Sequence, residues 1–382
     1  MPKGFVVTKW TDTDGLIVQL NYPEELKVDL DDMMRVFYAH ITGVAEAGNV
    51  LVRLEKVQSN VASYFTGMDS PTPFMINLIL ELGEDPDMFG EAVIKDINEA
   101  ILKYLRQLGT SISANYEVVK KLKQYLKNAL FLLERLKYLT KEQLLAQIYY
   151  SQKGRKILEL LRERAYSKKQ LQALLEESLK KIITNLDITL DPFVKSGLVK
   201  QDWIEGVAEV FLFLISDFTI FRAPAFDLID NAKNNLPNPN LAEKYLSEVK
   251  KFFADYKPTE EDNLVLARNL TNPDKFDYLA LFRDRPYPLN KIPKGTDEGA
   301  LDVAHLLSVM EKDNILKIIK DNKNVEWVFL LTDVAVRPFY PEYMLENIRK
   351  DQEEGIIKKE TAIKHLDYLE KVYYDFHEKK GK

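Results

Sequence analysis

Apolar and polar positions change period several times along the chain, and each change marks an element. In residues 5–20 the apolar residues form two β-prone runs. The first is Phe5-Val6-Val7 with Trp10 beyond it and the second ends at Leu20; Asp12-Thr13-Asp14-Gly15 lies between them. This predicts strand, turn, strand. Tyr22-Pro23-Glu24 ends the second run. Met33, Val36, Phe37 and His40 or Ile41 then share one helical face, and Asp31 and Asp32 stand in the first turn, where the helix dipole favours acids. Strands are predicted over residues 50–54, 57–65 and, past Pro71 and Pro73, 74–82. The last run becomes solidly apolar, as in a buried central strand. Asp85-Pro86-Asp87 reads as an N-cap acid, a proline at the first helical position and a second acid. The helix it opens carries Phe89, Val93, Ile97 and Ile101 to about Leu105. The order is ββ-α-βββ-α.

Residues 111–139 predict a long amphipathic connector with Val118, Leu122, Leu126, Leu130 and Leu133 on one side, pairing with a helix over 141–150. Beyond it, Ile157, Leu158, Leu160 and Leu161 belong to one helix. Ser167 caps a second over 168–175, and Ser178 caps a third reaching about Ser196, with Gly197 as its stop. Residues 198–204 and 207–215 are two strands around Glu205-Gly206. The pattern then repeats. Phe213-Leu214-Ile215-Ser216-Asp217-Phe218-Thr219-Ile220 aligns without gaps with Phe329-Leu330-Leu331-Thr332-Asp333-Val334-Ala335-Val336, and a proline (Pro224, Pro341) and a helix follow each. Upstream of the second copy, helices are predicted over 276–282 and 300–310 and a hairpin around Asp321-Asn322-Lys323-Asn324. An internal duplication is harder to produce by chance than a single motif. Residues 234–240 are loop, 245–253 a linker helix and 359–376 a last amphipathic helix.

The 382 residues, 46% hydrophobic, suffice for two or three cores. The resulting expectation is six parts: residues 1–108, a connector over 109–150, a first three-helix-plus-hairpin domain over 151–225, a linker over 226–257, a second such domain over 258–350, and a C-terminal helix over 351–382. With no cysteine there is no disulfide, thiolate metal site or cysteine nucleophile, which fits a reducing cytosol or a hot one. The longest strictly apolar run is residues 210–215, far below a membrane span, and no apolar leader opens the chain. A cytoplasmic protein is expected. Net charge is −6 but uneven. Residues 1–105 hold 8 Lys+Arg against 17 Asp+Glu, and residues 151–200 hold 11 against 6. An acidic head on a neutral-to-basic body suggests different partners for the two parts.

No phosphate loop, G-x-G-x-x-G, H-E-x-x-H or G-x-S-x-G occurs. His40, His305, His365 and His377 stand far apart, and packing is expected for His40 and His305. Glu84-Asp85 and Asp31-Asp32 sit at helix starts, where capping accounts for them. Neither a cofactor, a metal site nor an enzyme is expected. The candidate partner- or nucleic-acid-binding residues are Lys168, Lys169, Lys180 and Lys181, with Arg155 nearby; Lys180 and Lys181 stand near the predicted start of the third helix, where a DNA reader makes its contacts. Glu176 and Glu177 precede them, and the helix beyond is poor in Arg, Gln and Asn for base edges. In the second copy Asp302, Glu311 and Asp313 oppose phosphate. The balance favours a protein-binding face, with at most weak, salt-sensitive DNA contact.

Gly15-Leu16-Ile17-Val18, Asn21-Tyr22-Pro23, Ser63-Tyr64-Phe65-Thr66-Gly67 and Asn77-Leu78-Ile79-Leu80 before an acid-capped helix resemble the longin/roadblock superfamily of small α/β domains, a profilin-like module being the alternative. The three-helix-plus-hairpin order with its Ser196-Gly197-Leu198-Val199 exit resembles the winged helices of archaeal and bacterial regulators. The expected class is thus α+β: an N-terminal longin/roadblock-like α/β sandwich followed by two winged-helix domains. In domain order this is similar to nitrogen permease regulator-like subunits and to longin-bearing proteins of Asgard archaea. The resemblance implies a scaffold that binds small GTPases or other longin/roadblock domains. It carries over no arginine finger, since only Arg35 and Arg53 precede Arg106. The rival expectation is a winged-helix transcription regulator with an N-terminal sensor or dimerisation domain.

Overall fold

Alternation along five short strands builds the first element of the structure, a computed structural model that describes residues 2–42, 46–55, 57–108, 112–180, 183, 185–293 and 303–378. Strands β1 (Gly4–Thr11), β2 (Gly15–Tyr22), β3 (Gly48–Leu54), β4 (Ser59–Phe65) and β5 (Phe74–Glu81) form one antiparallel sheet in the order β2-β1-β5-β4-β3. Helix α1 (Leu30–Ile41), capped by the Asp29 carboxylate on the Asp31 N–H, lies against β2, β3 and β4. Met33, Val36 and Phe37 share a core with Val6, Val61, Met75 and Ile79. Central β5 is buried from Phe74 to Leu80, so both faces of the sheet are covered.

The helix expected from Asp85 is divided. Asp85 caps a 3₁₀ turn, Pro86–Phe89, and α2 (Glu91–Leu105) starts only after Gly90, whose φ of +79° and ψ of 134° suit glycine alone. Helix α3 (Ile112–Arg135) packs on α2 and β2, burying Leu122, Leu126, Ala129 and Leu133. It is therefore part of the first compact unit, which runs through Tyr138, and not a connector; Lys137 clamps it through an ion pair of 2.6 Å to the buried Glu84.

The second unit begins with α4 (Lys141–Tyr150), which pairs not with α3 but with a helix missed in sequence, α10. The chain continues α5 (Gln152–Glu163), β6 (Tyr166–Ser167), α6 (Lys168–Leu179), α7 (Leu186–Lys195), β7 (Val199–Ile204), β8 (Val207–Leu214), β9 (Asp217–Ala223), α8 (Phe226–Lys233) and α9 (Pro239–Asp255). The same succession follows in α10 (Glu260–Thr271), α11 (Pro273–Asp284), β10 (Tyr287–Pro288), α12 (Val303–Lys312), β11 (Leu316–Lys320), β12 (Glu326–Leu330), β13 (Asp333–Phe339), α13 (Tyr343–Glu353) and α14 (Lys359–Glu378). The three-stranded sheets match, β6-β8-β7 and β10-β12-β11. Only the counterpart of α6 has no described helix; the 3₁₀ turn Leu289–Lys291 stands there.

Each duplicated segment covers the end of one strand, a break and the start of the next. The breaks fall at residues 215–216 and 331–332, so residues 213–220 and 329–336 are not single strands. Beyond the breaks the repeats meet: β9 and β13 pair antiparallel with Ile220 opposite Val336 and Asp217 opposite Phe339. Ile220 and Val336 are equivalent residues, so the register places a pseudo-two-fold axis between them. Helices α9 and α14 are exchanged across that axis. Tyr245 of α9 is fully buried on the second repeat's sheet, stacked on Phe329 at 4.8 Å and donating its hydroxyl to the Leu330 carbonyl at 3.0 Å. His365 of α14 does the same on the first repeat's sheet, edge-on to Phe213 at 5.3 Å with Nε2–H donating to the Leu214 carbonyl at 2.8 Å. Residues 226–257, read as a linker, are thus the core helices of the neighbouring repeat.

Burial pushes the His365 imidazole down to about 4, and its Nδ1 has no partner. The folded state binds this proton more weakly than the unfolded chain, whose histidine titrates near ~6.5. The resulting contribution to stability is complete above that value and declines as pH falls towards about 4. The urea midpoint should therefore drop between pH 7 and pH 5, and His365→Gln should flatten the dependence; an unchanged slope in the variant would discard this account.

Candidate binding face

Three elements of the first repeat build the face that the sequence singles out. Ser167 and Gln170 form a reciprocal capping box that starts α6 at Lys168. Helix α6 runs through Ser178, the expected cap of the next helix, and stops at Lys180, which takes the left-handed conformation with φ +52°. The third helix, α7, starts at Leu186 with Asn185 as its cap, because the Asn185 carboxamide accepts the Ile188 N–H. Lys180 is therefore the C-cap of the second helix, not a leading residue of the third. Lys181 lies outside the described residues.

The lysines do not gather into one positive surface. Lys168 is bound by Asp187, the first-turn acid of α7, and Lys195 at the other end of α7 is bound by Asp191 at 2.6 Å. Lys169 and Lys180 are exposed and have no ion-pair partner among the described residues. Arg155 turns away, donating to the Tyr149 and Tyr150 carbonyls. Glu176 is committed to structure. It accepts the Ile183 N–H and the Gln172 amide, which hold its carboxyl below the usual range. Asp187, Asp191, Val194 and Lys195 of α7 are exposed, and Trp203 of the hairpin is 57% exposed. The α7 side of the face is apolar and acidic with Lys168 and Lys195 paired, and the cations left, Lys169 and Lys180 among them, are scattered, a poor match to phosphate.

The first unit offers a different surface. Its outer strands are β2 and β3. On β3, Asn49, Leu51 and Arg53 are exposed in alternation, and Tyr38 of α1 is 52% exposed. An outer strand of this kind presents backbone groups for pairing. Of the histidines expected to pack, His40 is buried, bonded to the Ser63 hydroxyl at 2.9 Å, and burial brings it down to about 4. His305 is exposed instead. Among the described residues no group of three His, Asp or Glu could hold a metal ion, and no described helix is long and apolar enough to cross a membrane.

Missing from the sequence expectations is an arginine–aspartate pair inside each repeat, which ties α5 to β9 and α11 to β13. Leu160-Leu161-Arg162-Glu163-Arg164-Ala165-Tyr166 corresponds to Leu281-Phe282-Arg283-Asp284-Arg285-Pro286-Tyr287. Arg162 forks onto the buried Asp217 at 2.8 and 2.9 Å, and Arg283 reaches the equivalent Asp333 at 2.8 Å. The shared order Arg-acid-Arg-x-Tyr, recurring after 121 residues against 116 for the duplicated strand segments, was the available signal. No protein-family model matches the chain, and no curated protein is significantly similar to it.

Proposed function

We propose that this chain is a non-catalytic regulatory or scaffold protein. In this reading a longin/roadblock-like unit precedes two fused winged-helix repeats, and the protein works by binding small GTPases or other longin/roadblock domains. The observation that carries the preference for protein over DNA is the pairing of Lys168 with Asp187 and Lys195 with Asp191, which neutralises the third-helix face. The strand order β2-β1-β5-β4-β3, with a helix on one face and a helical pair beyond β2, supports the longin-like part. The outer strand β3 supplies the surface that partner pairing would use.

A second reading, a transcription regulator, is favoured by the pseudo-two-fold pairing of β9 with β13, because two-fold proteins match two-fold operators. The two are separated by immobilising the full chain and passing over it small GTPases loaded with GDP or a GTP analogue and, separately, duplex DNA. The binding reading expects capture of a GTPase, and DNA retention lost by about 0.15 M salt. Tight, sequence-selective DNA binding at that salt, with both nucleotide states of the GTPases ignored, would reverse the assignment.

A further inference from the structure

The second unit carries a groove on the side formed by the end of β13, α13 and the C-terminal half of α14, with a volume of about 360 Å³. Tyr340, Tyr373 and Tyr374 form its aromatic wall. Tyr373 meets Tyr340 edge-on at 5.4 Å and Tyr374 at 5.9 Å, and Tyr374 is 58% exposed. Glu370 stands one turn and Asp367 two turns back on α14, both exposed, with no ion-pair partner among the described residues. Leu345 and Leu366 make the apolar rim.

The other repeat is an internal control. Aligned through Tyr245 and His365, Asp367 corresponds to Ser247, Glu370 to Lys250 and Tyr374 to Ala254; aligned through Asp217 and Asp333, Tyr340 corresponds to Pro224. The same backbone therefore forms without the carboxylates and without two of the tyrosines. Core packing does not demand them. Tyrosine faces beside unpaired carboxylates attract a cation, and a planar guanidinium suits both, stacking on a ring while its N–H groups fork onto an oxygen pair.

We propose that this groove captures an arginine side chain of a partner protein, in a segment whose neighbouring apolar residues rest on Leu345 and Leu366. The proposal rests on the protein-binding reading and names the chemistry of one partner. It can fail alone, since its probe is a peptide and the test of that reading uses GTPases.

The test measures the anisotropy of fluorescein-tagged Leu-Arg-Leu peptide on the full chain, with Leu-citrulline-Leu as the neutral isostere. The arginine peptide should bind at least about tenfold more tightly than the citrulline one. Asp367→Asn with Glu370→Gln should abolish that preference, and Tyr374→Ala should weaken binding by about tenfold. Glu353→Gln with Glu354→Gln, which removes as much charge from the end of α13, should leave affinity unchanged. Equal binding of both peptides, an equal loss in the control pair, or no binding to the unaltered chain at millimolar peptide would each overturn the proposal.

Discussion

Arg222→Met should lower the unfolding free energy by about 3–5 kcal/mol, the scale for breaking a buried charge network from one side. Arg222 stands on β9 with its side chain 3% exposed. It forks onto Asp262 of α10 at 2.7 to 3.1 Å and donates to the Asp313 and Asn314 carbonyls and to the Thr332 hydroxyl. One guanidinium thus joins the strand at the repeat junction to α10, to the turn after α12 and to the break before β13. Methionine fills part of the volume but removes the charged partner of Asp262, which keeps only the Tyr256 hydroxyl, and leaves the Asp313 carbonyl without its side-chain donor. Burial raises the Asp262 carboxyl, but hydrogen bonds from Arg222 and Tyr256 outweigh it, and the group titrates below the usual carboxylate range. Its contribution is present above the unfolded carboxylate value and declines as pH falls through the lower folded one. Urea titrations of the unaltered chain and the variant at pH 7 and pH 3 measure both effects. A loss under about 1 kcal/mol at pH 7 would remove Arg222 from the centre of this account.

Tyr245→Ala should cost about as much, ~3–5 kcal/mol for a fully buried aromatic ring, and the damage should appear in the repeat to which Tyr245 does not belong. Its ring stacks on Phe329 and its hydroxyl bonds the Leu330 carbonyl, both in β12. Amide exchange should therefore accelerate in β11 and β12 more than in β7 and β8. His365→Ala should give the mirror pattern, because its ring meets Phe213 and Leu214 of β8. Tyr245→Phe keeps the stack and should lose only about 1 kcal/mol with the hydrogen bond. If each substitution loosens its own repeat instead, the helices are not exchanged.

Local signals located most elements of both units. Alternation and turn chemistry placed the five strands of the first sheet; first-turn acids placed the start of α1 and the Ser167 cap that of α6; the hairpin turns placed β7–β8 and β11–β12. Errors fell where local rules compete. Ser178 is an acceptable cap by residue type, yet Leu171 and Leu175 hold α6 together past it, and Asn185 caps the next helix. Asp85-Pro86 starts a helical turn as its chemistry requires, but Gly90 interrupts it four residues later. Helix α10 leaves little apolar pattern in the sequence because its buried residues, Leu266, Ala267, Asn269, Leu270 and Thr271, are clustered at its C-terminal end and two of them are polar.

The candidate lysines were legible as residues but not as a surface. Lys168 and Asp187 are far apart in sequence, and only the packing of α7 beside α6 brings them together. The aromatic groove shows the same limit: Tyr340 lies well before Tyr373, and each is unremarkable alone. Periodicity and capping are local properties and the duplication is read by aligning the chain on itself, so the sequence determined the α+β class, the repeat and most of its elements. Which repeat's helix covers which sheet is a choice between contacts of nearly equal local cost, and Tyr245 would satisfy a pattern of buried positions on either sheet. The pairing of β9 with β13 and the seats of Tyr245 and His365 decide it, because reciprocal burial fills both cores at once, and that is a property of the tertiary structure.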